Sequence, residues 1–248
     1  MAGKRCVSGA GARLALGVAL AYLGWQAVGA SSAVVLGESA SWVLPETIAK
    51  ILRGADDETG FRPLFGKDAQ DGWAQCGPGG FTLTNGVATS HGGMGLWWHT
   101  NRTFTNFVVR GEWRLETADA DTGVFLRFPD PGHDPWNAVR RGHELEIGDD
   151  PAGQEPAWRT GALYPFSPPA RVPTRPIGEW NRFELITVGH TYVVRINGET
   201  VNVWTDPQRR SGSGYIGLQN YQEGKGSQHR NLRVKDLPPE PTLAKDPP

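Results

Sequence analysis

Hydrophobic and polar positions alternate along much of this chain with a period of two. In N-F-V-V-R-G-E-W-R-L-E, residues 106–116, Phe107, Val109, Trp113 and Leu115 fall on one face, and Val108, Arg110, Glu112, Arg114 and Glu116 on the other. A helix would repeat its apolar positions every three to four residues, so this run predicts a half-buried antiparallel strand. Comparable runs predict strands over 94–98, 122–128, 143–147, 180–188, 214–219 and 229–235. Asn85-Gly86 and Asn197-Gly198 each sit between two such runs. Both dipeptides tolerate positive φ at two successive positions, which tight two-residue hairpins require. No long amphipathic helix and no repeat of fixed period interrupts the pattern. About ten short strands separated by turn signals predict an all-β protein, a sandwich or a barrel.

The flanks read differently. Lys4, Arg5 and Arg13 precede an uncharged stretch from Leu14 to Gly37, with small residues at Val28 and Ala30. This predicts a signal peptide cleaved after Ala30, or an uncleaved membrane-anchor helix. In both cases the positive flank stays inside, so the body is expected to be secreted or otherwise extracytoplasmic, with the membrane as partner only through that anchor. Residues 31–59 read as a linker with a short helix over Pro45–Leu52, Pro45 standing at its first turn. The folded body is expected over 60–237, and the proline-rich 238–248 as a disordered tail.

Charge narrows the partners. The chain has 25 basic and 26 acidic residues; without Lys4, Arg5 and Arg13 the basic count is 22. Nothing forms a basic stripe, so nucleic acid is not an expected partner and a neutral or weakly polar ligand fits better. Cys6 and Cys76 are the two cysteines, too few for a disulfide framework or a thiolate zinc cluster. The ten tryptophans suit either a sandwich core or sugar stacking. A nucleophile elbow, a phosphate-binding loop and a dinucleotide fingerprint are absent, and the six histidines show no paired ligand spacing.

Candidate chemistry concentrates between Asp121 and Asp150: D-T-G-V-F-L-R-F, a loop with Pro131, Gly132, Pro135 and Trp136, then R-G-H-E-L-E-I-G-D-D. Glu144 and Glu146 lie two residues apart on a strand, so their side chains point the same way, roughly 6–7 Å apart, with Leu145 and Ile147 facing the core. They are either an acid/base or ligand-orienting pair, or a solvated outer face. If the two strands are neighbours, Arg127 could share that surface. Asp149 and Asp150 read as turn formers or calcium-type ligands. Tyr164 precedes a loop stiffened by five prolines over 165–178, and Gln219 and Tyr221 share one side of Y-I-G-L-Q-N-Y.

Taken in order, G-F-R-P-L-F-G-K-D-A-Q-D-G-W (60–73), T-G-V-F-L-R (122–127), H-E-L-E-I-G-D-D (143–150), T-G-A-L-Y (160–164), I-G-E-W-N-R-F-E (177–184), I-N-G (196–198), G-Y-I-G-L-Q-N (214–220) and R-N-L-R-V (230–234) resemble the 3-keto-disaccharide hydrolase domain family. The resemblance implies an antiparallel β-sandwich of the concanavalin-like jelly-roll type. It also implies a glycoside-cleaving activity on sugars oxidised at C3, or a non-catalytic carbohydrate-binding or cell-envelope module on the same fold. By position, Glu144 matches the family's acid in a tyrosine-glutamate pair, Arg127 the arginine closing the preceding strand, and Gln219 the glutamine of a glycine-leucine-glutamine motif. Glu144, Glu146 and Arg127 are thus the expected catalytic residues, and Gln219, Tyr164, Tyr221 and Asn220 the expected sugar-binding ones. No cofactor is assigned, and a divalent metal ion stays open. The chain departs from the family at His143, usually tyrosine, at Glu146, usually glutamine, and at Tyr221, where many members have histidine.

Overall fold

The structure, a computed structural model, describes residues 55–67, 71–148 and 155–238 and the single positions 46, 49 and 53. The export segment, most of the linker helix, the Asp149/Asp150 turn and the tail beyond residue 238 lie outside the described residues. In chain order the elements are β1 (Arg62–Pro63), β2 (Trp73–Cys76), β3 (Gly80–Thr84), β4 (Val87–His91), β5 (Gly95–His99), β6 (Phe107–Leu115) and β7 (Asp121–Phe128). They continue with helix α1 (Trp136–Arg141), β8 (His143–Gly148), a 3-10 turn (Pro156–Trp158), β9 (Leu163–Tyr164), β10 (Asn181–Val188), β11 (Thr191–Ile196), β12 (Glu199–Thr205), β13 (Tyr215–Asn220) and β14 (Ser227–Asp236).

These strands form two antiparallel sheets packed as a β-sandwich. The larger runs β12-β11-β10-β6-β14-β4-β3, with β1 added on β14; the smaller runs β2-β5-β13-β7-β8-β9. Alternation dictates what lies between them. Phe107, Val109, Trp113 and Leu115 of β6 enter the shared core together with Val124 and Leu126 of β7, Leu145 and Ile147 of β8, Leu163 of β9 and Leu218 of β13. Both predicted hairpins form, β3–β4 around Asn85-Gly86 and β11–β12 around Asn197-Gly198, and all four turn residues have positive φ. The outer face of the larger sheet is not bare: Ala55, at the end of the expected linker, is buried there with Val108, Ile186, Val188 and Val193.

Two local features position the site on the outer face of the smaller sheet. The loop that holds Pro135 and Trp136 contains α1, which lays Ala138 and Val139 over Cys76, Leu96, Trp98, Phe125 and Phe128. One part of that face is therefore sealed by apolar packing. The second feature is a β-bulge in β7. Tyr215 pairs with Phe128 and Ile216 with Leu126, so Arg127 is the extra residue, held at φ 52°. A bulge shifts strand parity by one position. Phe128 accordingly joins Phe125 on the outer face, while Arg127 turns toward the end of the sandwich.

The consequence corrects the expectation for Arg127. It is fully buried and its guanidinium donates to the backbone carbonyls of Thr105 and Gly189 (2.6 Å to Gly189) and to the Tyr192 hydroxyl at 3.2 Å. Tyr192 is hydrogen-bonded to His143 Nδ1 at 3.0 Å, and His143 Nε2 to Asp206 at 3.1 Å. Burial is the main force pulling the His143 pKa down to about 4, so it stays neutral and faces the core. Arg127 ties loop ends together on the far side of β7 and does not share a surface with Glu144 and Glu146. Buried acceptors stripped of their donor cost about 1–3 kcal/mol each. Arg127→Leu is therefore expected to lower unfolding free energy by about 3–5 kcal/mol in denaturant titration; a loss below about 1 kcal/mol would show that these carbonyls do not depend on the guanidinium.

Candidate active site

The remaining part of the outer face collects the polar residues. Antiparallel pairing sets Tyr164 opposite Glu144, Glu144 opposite Phe125, Glu146 opposite Gly123, and Gly123 opposite Gln219. Since Leu163, Leu145, Ile147, Val124 and Leu218 enter the core, their neighbours must point outward. Tyr164, Glu144, Glu146, Asp121 and Gln219 therefore stand on one face, drawn from β9, β8, β7 and β13. Gly123 lies at their centre. A side chain there would run into the Glu144 carboxylate, so the absence of a Cβ gives Glu144 its place.

This face is polar yet dry. Glu144 is 2% exposed and Glu146 6%. Among the described residues no Lys or Arg forms an ion pair with Asp121, Glu144 or Glu146. Burial, followed by repulsion from Asp121, pushes the Glu144 carboxyl well above the ordinary carboxylate range. Glu146 is pushed up by burial first, then by Asp121 and Glu144. Asp121 rises to about 6, through burial, while a hydrogen bond from the Glu146 carboxyl works against the rise. One carboxyl of that pair must hold a proton for the bond to exist. Glu144 Oε1 and Gln219 Oε1 are buried with no partner among the described residues, and both can accept from a hydroxyl. An acceptor left this way inside a protein calls for an explanation, and a ligand supplies one.

Aromatic side chains flank the acids on both sides. On the β9 side the Tyr164 pKa rises to about 12 through burial and then the nearby Glu144 and Glu146 charges, with Trp158 working against the rise. Tyr221, just beyond β13, is raised by burial and by Asp121 and Glu146, and its ring meets Trp136 of α1 edge-on at 6.1 Å. Both phenols remain hydrogen-bond donors across the working pH range.

Of the expected residues, the fold brings Glu144, Glu146, Tyr164, Gln219 and Tyr221 together. Asn220 is the second correction besides Arg127. Its parity is opposite to that of Gln219, and its amide donates to the carbonyls of His91, Gly92 and Gly93 at 2.8–2.9 Å. It clamps a loop and does not face the carboxylates. Asp121, Gly123, Trp136 and Trp158 were not singled out as site residues. Asp121 and Gly123 share strand parity with each other, a legible signal; that they meet Glu146 follows only from the register. The oxygen-rich donor set is of the kind hard divalent ions take, but among the described residues no three His, Cys, Asp or Glu side chains gather in a geometry that holds a metal. Two shallow hollows, about 230 Å³ beside Arg102 and Asp236 and about 390 Å³ beside Phe61 and Arg233, lie away from the acids.

Two antiparallel sheets packed as a sandwich, with buried carboxylates and aromatic side chains on one outer face, are what the fold and the site define. The chain is a member of the 3-keto-alpha-glucoside-1,2-lyase-like domain family, which matches residues 60–235. Two structures of candidate glycosyl hydrolases from Parabacteroides distasonis ATCC 8503 align at TM-scores of 0.61 and 0.60. Each is 20% identical, with 79% and 71% of this chain and 99% of each relative covered. A galectin-like protein of unknown function from Bacillus subtilis aligns at a TM-score of 0.54 and 14% identity, over 72% of this chain and 96% of that one. These likenesses establish the shared fold. No curated protein matches the sequence.

The carboxyl cluster has a measurable effect on stability. A carboxyl whose folded pKa is raised stabilises the fold fully below its unfolded pKa, and that contribution is lost as pH rises through the folded value. The window here opens near 4.5 and runs past 6. Glu144→Gln removes one of the repelling charges. Between about pH 5 and pH 8 the wild type is expected to lose about 2–4 °C more in Tm than the variant, the effect of roughly 1 kcal/mol in a domain of this size. Parallel Tm curves for the two proteins would contradict the assigned repulsion.

Proposed function

We propose that this domain cleaves neutral 3-keto-glycosides by elimination across C1 and C2, followed by addition of water. A ketone at C3 acidifies the C2 hydrogen. Glu144 takes that proton, the C1–O bond breaks as the C1–C2 double bond forms, and the leaving oxygen receives a proton from Glu146, which shares one with Asp121. Water then adds across the double bond: its hydroxyl bonds to C1, its other proton restores Glu146, and Glu144 returns its proton to C2, so that net hydrolysis results. The Tyr164 phenol donates a hydrogen bond to the ketone oxygen as negative charge develops on it, and Gln219 accepts from a sugar hydroxyl. A dry site strengthens each of these interactions.

The observation that carries this reading is the Glu144 carboxylate. It is buried, raised in pKa, unpartnered at Oε1 and seated over a glycine. A carboxylate with its ordinary pKa is a weak base toward carbon; a desolvated one next to another negative charge is stronger. The arrangement also favours uncharged substrates, because three acids without a paired cation repel a uronate or a sulfated sugar. Sequence supports the same proposal on location: Lys4, Arg5 and Arg13 before a long uncharged run fit export of the domain. N-terminal sequencing of the mature protein tests that part.

The enzymatic part is tested by incubating the intact protein with 3-keto-glycosides and with their unoxidised parents. Cleavage confined to the 3-keto series is expected, and Glu144→Gln should lower kcat/KM by about 10²–10⁴-fold, the usual contribution of a positioned acid or base. Glu144 must be ionised to act, so kcat/KM should rise with pH through a midpoint above the ordinary carboxylate range of about 4. Full turnover by the variant would refute the assigned base, and sugar binding without product would make the domain a carbohydrate-binding module.

A further inference from the structure

His229 is buried in the core between the sheets. On β14 it pairs with Trp113 of β6 and Ala88 of β4, and the Phe81 ring meets it edge-on at 5.7 Å. Its Nε2 lies 3.2 Å from the Thr122 hydroxyl, and that hydroxyl donates to the backbone carbonyl of Gln219. Thr122 stands on β7 between Asp121 and Gly123, and Gly123 pairs with Gln219. The contact therefore joins β7 to β13 on the core side of the ladder, directly beneath the polar face.

Donors and acceptors fix the tautomer. A threonine hydroxyl has a single hydrogen, and here it goes to Gln219, so Thr122 Oγ1 can only accept from His229. Nε2 therefore carries the imidazole proton, and Nδ1 is bare. Nδ1 has no partner among the described residues. Burial keeps the ring unprotonated, its pKa pulled down to about 3. A buried acceptor without a donor costs stability, and the surrounding Phe81, Trp113 and Ala88 belong to the apolar core, which would suit a phenylalanine equally well. What histidine supplies there, and phenylalanine cannot, is the N–H on Thr122.

We propose that His229 is a positioning residue for the sugar site: its Nε2–H fixes the Thr122 hydroxyl on the Gln219 carbonyl, and so sets where the Gln219 side-chain amide meets a substrate hydroxyl. The Gln219 carbonyl carbon is bonded to the Cα that carries that side chain. A shift of the carbonyl on the core side thus moves the amide on the outer face. The inference rests on the proposed binding of neutral 3-keto-glycosides by Gln219. His229 touches neither the substrate nor the reacting proton and acts only through Thr122.

The test compares the intact wild type with His229→Phe, Thr122→Val and the double variant on a methyl 3-keto-glycoside, with Tm measured alongside. His229→Phe is expected to raise KM about three- to tenfold, the effect of one misplaced hydrogen bond, while kcat stays within about twofold. Its Tm should be unchanged or higher, because the bare Nδ1 is gone. Thr122→Val should raise KM as well, and the double variant should match Thr122→Val alone, since both substitutions act through one contact. An unchanged KM, a change carried by kcat, or KM effects that multiply in the double variant overturns the proposal; a drop in Tm with KM unchanged makes His229 a packing residue only. ¹⁵N NMR of the wild type at neutral pH reads the tautomer independently: Nε2–H is expected, and Nδ1–H overturns the proposal. Should His229→Phe fail to fold, the KM of Thr122→Val and the tautomer decide. If the wild type cleaves no 3-keto-glycoside, the proposed reaction fails by itself. Calorimetric Kd values for the unoxidised methyl glycoside then replace KM in the same comparison, and a wild type that binds no sugar overturns the positioning role too.

Discussion

Three carboxyl groups crowded on one sheet face, two of them buried and Asp121 partly so, with no paired cation among the described residues, are the constraint around which this molecule is organised. Leaving a carboxylate unpaired in a low-dielectric place is unfavourable enough that such groups normally take up a proton. Here the strand ladder permits no escape. Leu145, Ile147 and Val124 are committed to the core, so Glu144, Glu146 and Asp121 must point the other way. α1, Tyr164 and Tyr221 close around that face. The result is a set of acids that cannot all be ionised together, which is also the condition under which one carboxyl serves as a base while its neighbour gives up a proton.

Among the described residues the cations are placed elsewhere, and the placement is as informative as the acids. Arg127 lies two residues beyond Phe125, the residue opposite Glu144, and regular alternation would have put it on the same face. The bulge turns it instead to the carbonyls of Thr105 and Gly189, where it holds loop ends in register. A guanidinium beside Glu144 would lower the carboxylate's pKa and weaken it as a base. The geometry thus separates two tasks: Arg127, Tyr192, His143 and Asp206 build a neutral-histidine network at one end of the sandwich, and the carboxyl cluster on the outer face is left without a counter-charge. Gly123 matters for the same reason, since any side chain there would displace Glu144.

Much of this was legible in the chain. Period-two alternation located β6, β7, β8, β10 and β13 almost to the residue, and the two Asn-Gly pairs marked both hairpins, because those signals depend on local backbone and side-chain preferences. Parity correctly placed Glu144 with Glu146 and against Leu145. It failed at Arg127, since an arginine at positive φ has no compositional signature and a single inserted residue reverses every later assignment on its strand. Asn220 failed for a related reason: adjacent residues on a strand face opposite ways, so it could not join Gln219 on the same face. Asp121 and Trp158 depended on which strands pair and in what register, and pairing between segments distant in sequence is set by the whole core.

The most direct test of the account is a carboxyl titration followed by NMR on protein labelled with ¹³C at the glutamate side chains. The account predicts two glutamate carboxyls titrating well above the range of ordinary surface glutamates, one of them absent in Glu144→Gln and the other shifted downward by loss of its neighbour's charge. If every glutamate titrates near its ordinary value, the outer face of the smaller sheet is wet, and the base on which the proposed chemistry depends does not exist.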